Sequence, residues 1–214
     1  MRVAAIVVAA GTGKRFGDRK QFWDLGGQTV AARAVAASRT VADRVVLVAP
    51  ADALGERHGA DVVVAGGSTR SASVRAGLAA IDADAEVIVV HDAARPLASP
   101  SLFRAVLAAL GASPEVSGAI PGLPVPDTLK LLAPGPSRVV ASTLDRASVV
   151  AVQTPQAFTA TALRRAHAGG ADATDDAALV EAVGGRVVVV DGDPKNRKLT
   201  TRDDLDVLAS DLER

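Results

Sequence analysis

Six short runs dominated by β-branched residues recur along the 214-residue chain: Val3-Ala-Ala-Ile-Val-Val8, Arg44-Val-Val-Leu-Val48, Asp61-Val-Val-Val64, Glu86-Val-Ile-Val-Val90, Val116-Ser-Gly-Ala-Ile120 and Arg186-Val-Val-Val-Val190. In most of them the apolar residues are consecutive rather than alternating with polar ones. That pattern suits strands buried on both faces, as in a parallel sheet covered by helices. Ala-rich segments with helical spacing lie between the runs. The clearest are Thr29 to Ser38, Ser71 to Ile81 and Pro100 to Leu110, the last with Ser99 as N-cap and a proline at the first helical position. Further helices are expected at Thr159 to Ala168, at Asp175 to Val183 and from Asp203 to the C-terminus. The alternation predicts an α/β fold, a doubly wound and mostly parallel Rossmann-like sheet in a single domain, 1–214.

One stretch breaks this rhythm. Between 121 and 156 stand Pro121, Pro124, Pro126, Pro134, Pro136 and Pro155, and two strand-like segments, Thr128 to Leu132 and Arg138 to Ser142, flank Ala133-Pro-Gly-Pro136. Two such segments around a Pro-Gly turn read as a β-hairpin, and prolines favour sheet edges. The expectation is an arm projecting from the sheet at about 121–156. A lone hairpin is marginally stable, so its place would be on a partner subunit. The alternative is a long irregular surface connection.

Composition narrows the chemistry. Cysteine is absent, which removes disulfides, thiolate metal sites and a cysteine nucleophile, and three scattered histidines (His58, His91, His167) make no metal cluster. Lys plus Arg and Asp plus Glu number 24 each, so no global field draws nucleic acid or an anionic membrane. Four Phe, one Trp and no Tyr leave few platforms for stacked bases. The apolar run at the N-terminus stops at Gly11, too short for a signal peptide or a membrane span. The expectation is a cytoplasmic chain without nucleic-acid or membrane partners.

In an open α/β sheet, ligands bind beyond the carboxyl ends of the strands. After the first run comes Ala9-Ala-Gly-Thr-Gly-Lys-Arg-Phe-Gly-Asp-Arg-Lys20. It is not a Walker A loop, since Val8 and Arg15 stand where Gly and Ser or Thr are needed, and Phe16 replaces the third glycine of a dinucleotide fingerprint. Its glycines and its local charge of +3, from Lys14, Arg15, Arg19 and Lys20 against Asp18, suit a triphosphate. The same segment also reads as a solvated basic loop. After the third run, Gly66-Gly-Ser-Thr-Arg-Ser-Ala-Ser73 offers small residues and hydroxyls to a flat ring. After the fourth, Asp92 in His91-Asp-Ala-Ala-Arg95 can hold Mg²⁺ through one carboxylate or pair with Arg95 to shape the turn. After the last, Lys195, Arg197 and Lys198 form a second cationic cluster. Taken together, these placements point to a phosphate-handling site.

Read jointly, Ala9-Ala-Gly-x-Gly-x-Arg15, Lys20-Gln-Phe, Gly66-Gly-x-x-Arg70-x-x-Ser73, His91-Asp-Ala-Ala-Arg-Pro96, Asp127-Thr-x-Lys130, Asp145-Arg146, Thr154-Pro-Gln156, Thr174-Asp175 and Asn196-x-Lys198-x-Thr200 resemble the 2-C-methyl-D-erythritol 4-phosphate cytidylyltransferase family over nearly the whole chain. The resemblance implies a homodimeric nucleotidyltransferase of isoprenoid biosynthesis that moves CMP from CTP to the sugar-alcohol phosphate, with Mg²⁺, and releases pyrophosphate. It implies Arg15 and Lys20 as stabilisers of the transition state and Arg146 and Lys198 as positioners of the attacking phosphate. It further implies CTP contacts from Ala9, Ala10, Gly11, Gly13, Gly67, Ser68, Ser73 and Ala93. Substrate contacts would come from Asp92, Arg95, Thr128, Thr154 and Thr174, some across the dimer, with Asp92 also at the metal.

The chain departs from the family pattern at Ser68, where an acid is common, at Arg19, where proline is frequent, and at Arg197, where an apolar residue is usual. The first shifts base recognition toward backbone groups and Ser73. Related enzymes acting on ribitol 5-phosphate tend to carry Ala-Gly-Gly at the first loop, whereas this chain has Ala9-Ala10-Gly11 and the Ala93-Ala94 pair. A non-catalytic nucleotide-binding module would not require Arg15, Lys20, Arg146 and Lys198 together.

Overall fold

The structure, a computed structural model, describes residues 1–11 and 18–212. The continuous apolar runs form the strands β1 (Val3–Val8), β2 (Arg44–Ala49), β3 (Val62–Ala65), β4 (Val87–Asp92), β5 (Val116–Pro124) and, near the C-terminus, β10 (Arg186–Asp191). Four short strands intervene: β6 (Lys130–Leu132), β7 (Val140–Thr143), β8 (Val150–Val152) and β9 (Gln156–Thr159). The helices are α1 (Val30–Arg39), α2 (Arg70–Ala79), α3 (Pro100–Gly111), α4 (Ala160–Ala168), α5 (Asp176–Ala182) and α6 (Asp203–Leu212). Side chains of Thr29, Thr69, Ser99, Thr159 and Asp175 cap the first five by accepting a backbone N–H of the first turn.

The main sheet runs in the order β3-β2-β1-β4-β9-β5-β10, with β8 paired to β5. Its strands are parallel except for β8 and β9, and β9 runs antiparallel to both of its neighbours. Successive residues of β1 point to opposite faces. Val3, Ala5 and Val7 join Val35, Phe103 and Val106 in the core under α1 and α3. Ala4 and Ile6 join Val74, Leu78, Leu163 and Val180 under α2, α4 and α5. Helices on both faces explain why β1, residues 45–49 of β2 and residues 87–90 of β4 are apolar without a break. A third, smaller core of Leu25, Val30, Leu199 and Leu208 seats α6.

The sequence runs correspond to these strands, with three differences. β5 does not stop at 120 but continues through Pro121 to Pro124, and β8 lies against this extension. Of the interval 121–156 expected for the arm, the projecting part is the β6–β7 hairpin, while residues 121–124 and 150–152 belong to the main sheet. The sequence pattern does not predict β9 at all. Its four residues, Gln-Ala-Phe-Thr, carry no long apolar run, and pairing with β4 and β5 is what makes them a strand. Among the described residues, no helix is long and apolar enough to cross a membrane.

Candidate active site

The parallel strands β1, β3, β4 and β10 finish at one edge of the sheet, and β9, running the other way, begins there. Two cavities open at this edge. One, of about 420 Å³, is lined by Val8 to Gly11, Lys20, Gln21, Gly67 to Arg70, Ser73, Asp92 to Ala94 and Lys198. The other, of about 280 Å³, is lined by Arg95, Val152 to Thr154, Gln156, Thr174 and Asp175, with Arg70, Asp92 and Lys198 again. Three charged side chains are therefore common to both. A further cavity of about 320 Å³ lies among Arg2, Arg44, Asp82 and Asp84 at the opposite edge, where these charges pair with one another.

The larger cavity has a wall built by close backbone approach. A Cβ at Gly66 would collide with the Ala10 Cβ and stand 2.9 Å from Ser73 Oγ, and one at Gly67 would lie 2.5 Å from Ala72 Cβ. Ser73 Oγ donates to the Thr69 carbonyl at 2.9 Å and accepts the Gly67 N–H at 3.2 Å. This hydroxyl, expected to face a base, thus also shapes the loop. Gln21, nearly fully buried, donates to the Gly11 carbonyl at 3.1 Å and ties the segment after residue 17 to the end of β1. Lys20 Nζ donates to the Leu199 carbonyl. Arg19 departs from the expected cluster, because its guanidinium pairs with Asp52 at 2.6 Å. Gly13, Lys14 and Arg15 lie outside the described residues.

The junction between the cavities is an ion network. Asp92 Oδ2 accepts from Lys198 Nζ at 2.6 Å, and Oδ1 accepts from Arg70 Nε and Nη2 at 3.2 Å each. Burial opposes the Asp92 charge, yet Arg70 and Lys198 beside it hold the carboxyl well below the usual carboxylate range. Arg70 Nη1 donates to Asp176 Oδ2 at 2.7 Å, and Asp176 Oδ1 accepts from His167 Nε2 at 3.0 Å. Burial works against the Arg70 charge too, and Asp92 and Asp176 more than offset it, raising its pKa. Arg95 forms no ion pair with Asp92 here; its Nη1 donates instead to the Asn196 carbonyl at 2.7 Å.

The smaller cavity is stiffened by a chain of directed hydrogen bonds. The Thr154 hydroxyl accepts the Asp92 N–H at 3.0 Å and lies 3.1 Å from His91 Nδ1, while His91 Nε2 lies 3.1 Å from the Arg95 carbonyl. A carbonyl only accepts, so Nε2 carries the proton and Nδ1 receives the Thr154 hydroxyl proton. Full burial pushes the His91 pKa down to about 4, against the opposing pull of Asp92, so the ring serves as a neutral strut. Asn196 and Gln153 join the loop after β10 to the start of β9: Asn196 Nδ2 donates to the Thr154 carbonyl at 2.8 Å, and Gln153 Nε2 to the Asp193 carbonyl at 2.9 Å.

Of the residues singled out in the sequence, Ala9, Ala10, Gly11, Lys20, Gly67, Ser68, Ser73, Asp92 and Ala93 line the larger cavity, and Arg95, Thr154 and Thr174 line the smaller one. Lys198 stands in both, but Arg197 turns away to Asp211 at 3.7 Å, which breaks up the expected second basic cluster. Thr128 and Arg146 line neither cavity; both are exposed on the arm side, and Arg146 donates to the Pro126 carbonyl at 2.7 Å. Sequence reasoning assigns no role to Arg70, Gln153, Asn196, His167 or Asp176. A usable signal exists for Arg70, a cation in the first turn of a helix, where the dipole disfavours it.

Among the described residues no group of three or more His, Asp or Glu is placed to hold a metal ion. Mg²⁺ requires less, since one or two carboxylates with substrate phosphates and water complete its shell. Asp92, whose carboxylate lines both cavities, is the residue present that suits such a cation, through oxygens that it would share with Arg70 and Lys198.

A family model described as 2-C-methyl-D-erythritol 4-phosphate cytidylyltransferase (IspD) matches residues 3–213. The curated protein of that name from Rhodococcus opacus strain B4 is 47% identical over 219 residues, covering 98% of this chain and 94% of its own. A bifunctional IspD/IspF enzyme from Clavibacter michiganensis is 44% identical, and the chain spans 53% of that protein's length. The crystal structure of the 2-C-methyl-D-erythritol 4-phosphate cytidylyltransferase from Thermus thermophilus superposes with a TM-score of 0.82 at 38% identity, covering 99% of this chain and 98% of that one.

Proposed function

The chain belongs to the 2-C-methyl-D-erythritol 4-phosphate cytidylyltransferase family, and from that membership we propose how its residues divide the work. It is a nucleotidyltransferase of isoprenoid biosynthesis that transfers the cytidylyl group of CTP to 2-C-methyl-D-erythritol 4-phosphate. The observation that carries the residue-level reading is the wall of Arg70, Asp92 and Lys198 common to a glycine-walled cavity and a neighbouring polar one. CTP occupies the first, the acceptor the second, and the α-phosphorus meets the acceptor phosphate at the wall.

An oxygen of the acceptor phosphate attacks the α-phosphorus, a new P–O bond forms, and the bond to the β-phosphate breaks to release pyrophosphate. The attacking oxygen is already anionic near neutral pH, so no protein base is required. Rate comes from placement and from charge stabilisation. Lys20 and Arg15 neutralise charge building on the phosphorus, a role that the position of Lys20 on the cavity wall supports. Lys198 draws the acceptor phosphate to the junction, and Arg95, Thr154 and Thr174 surround the acceptor. Asp92 would hold Mg²⁺, which when bound screens and orients the triphosphate.

We further propose a homodimer in which Thr128 and Arg146 from one arm complete the acceptor site of the partner subunit. Leu132 and Val140, paired across β6 and β7, are 39% and 52% exposed on one face of the arm, apolar surface suited to burial against a second copy. The requirement for CTP, an intracellular metabolite, accords with a cytoplasmic enzyme.

Pyrophosphate release tests the reading, with each of four nucleoside triphosphates offered against methylerythritol 4-phosphate and ribitol 5-phosphate. Turnover is expected with CTP and methylerythritol 4-phosphate. Equal or faster turnover of ribitol 5-phosphate would overturn the acceptor assignment.

A further inference from the structure

Arg70 is a costly residue where it stands. It sits in the first turn of α2, at the positive end of the helix dipole, with its side chain only 22% exposed. Asp92 and Asp176, on two sides of one guanidinium, offset that cost. The planar fork permits this division, with Nε and Nη2 serving Asp92 and Nη1 serving Asp176. Asp176 lines neither cavity and its side chain is fully buried. Its second oxygen is taken by His167 Nε2, from the last turn of α4. His167, Asp176, Arg70, Asp92 and Lys198 thus form one unbroken line of hydrogen bonds, running from between α4 and α5 to the junction of the cavities.

A buried ion pair is by itself a weak source of stability, and its better-attested use is to fix geometry. Without Asp176, Arg70 has one anionic partner and no anchor behind it, and the Asp92 carboxylate loses the brace that opposes Lys198. We propose that Asp176, held by His167, is a positioning residue for cytidylyl transfer, acting through Arg70 to fix Asp92 and Lys198 where the acceptor phosphate meets the nucleotide. The proposal rests on the function given above.

The test compares Asp176→Asn, His167→Ala and His167→Gln with the wild-type chain, measuring kcat, the KM of each substrate and thermal melting. Misplacement of a reacting group by about 1 Å can cost roughly 100-fold in rate, so Asp176→Asn and His167→Ala are expected to lower kcat by roughly 10- to 100-fold. The KM for CTP should stay within about threefold, because the wall around Gly66 and Gly67 is untouched. Gln can donate its amide N–H to Asp176 in place of Nε2–H, so His167→Gln should recover most of the rate. If Asp176→Asn fails to fold, the two His167 variants decide. Folded variants with kcat within about twofold of wild type overturn the proposal, as does an equal loss in His167→Gln and His167→Ala. A wild-type chain that does not use methylerythritol phosphate overturns the function itself and this proposal with it; an active wild type with unaffected variants overturns this proposal alone.

Discussion

Lys198 Nζ donates to Asp92 Oδ2 at 2.6 Å across 106 residues of sequence, so the ammonium at the wall common to both cavities is held by the residue that ends β4. The Lys198 side chain remains 42% exposed, which leaves its charge available to an incoming phosphate. Lys198→Ala is expected to lower kcat/KM for the acceptor by roughly 100-fold, about 2.7 kcal/mol of transition-state stabilisation. CTP binding measured by calorimetry should change by no more than a few-fold. An unchanged acceptor kcat/KM would remove the residue from the mechanism.

The close approach of Gly66 to Ala10 gives a separate prediction for the nucleotide side. Gly66→Ala inserts a methyl group against Ala10 Cβ, at 2.9 Å from the Ser73 Oγ that caps the loop. Overpacking of this kind costs about 1–3 kcal/mol, and relief requires the end of β1 and the loop before α2 to separate. Calorimetry should register weaker CTP binding, together with a lower melting temperature. Wild-type CTP affinity in this variant would show that the wall does not shape the nucleotide site.

The fold was legible in the sequence where a local pattern and the tertiary environment agree. Val3 to Val8 and Val87 to Val90 are apolar throughout because helices cover both faces, and Ser99-Pro100 announces α3 by its own capping geometry. β9 was not legible, since Gln156 to Thr159 becomes a strand only by pairing with Ile88 and Gly118, far away in the chain. Its antiparallel direction is what brings Thr154 to the edge where the parallel strands end. The candidate site divides in the same way. Glycine loops and charged residues at strand ends could be read directly, but charge counts could not tell which cations face the cavities. Arg19 is claimed by Asp52 and Arg197 by Asp211, whereas Arg70, read only as a motif position, stands at the centre.

Thr154 joins Asp92 to His91 through a single hydroxyl. Thr154→Val keeps the shape but leaves the Asp92 N–H and His91 Nδ1 without that partner in a buried setting. Each unsatisfied group costs about 1–3 kcal/mol. A clear fall in chemical-denaturation stability is therefore expected, with a raised acceptor KM. Thr154→Ser, which keeps the hydroxyl, should restore much of both. Equal stability of the Val and Ser variants would show that the hydroxyl is not the link.

The arm supplies the last prediction. Val140 is 52% exposed on β7, opposite its register partner Leu132 at 39% on β6, while Lys130 and Thr143 join β6 to β7 through a 2.6 Å hydrogen bond. A two-stranded hairpin with an apolar face is marginal alone, and in the proposed dimer it would gain stability by packing against a second copy. Val140→Asp places a carboxylate on that face without altering the cavities, whose lining includes no residue of the β6–β7 hairpin. Sedimentation should show a shift from dimer to monomer. Activity should fall with dissociation by roughly 100-fold, the scale expected when a positioning cation is withdrawn from a reacting phosphate. Arg146→Ala should give a similar loss in an intact dimer, because in the proposed assembly that cation crosses to the partner's acceptor site. A Val140→Asp monomer with full activity would overturn the crossing, and a dimeric Val140→Asp chain would overturn the arm as the interface.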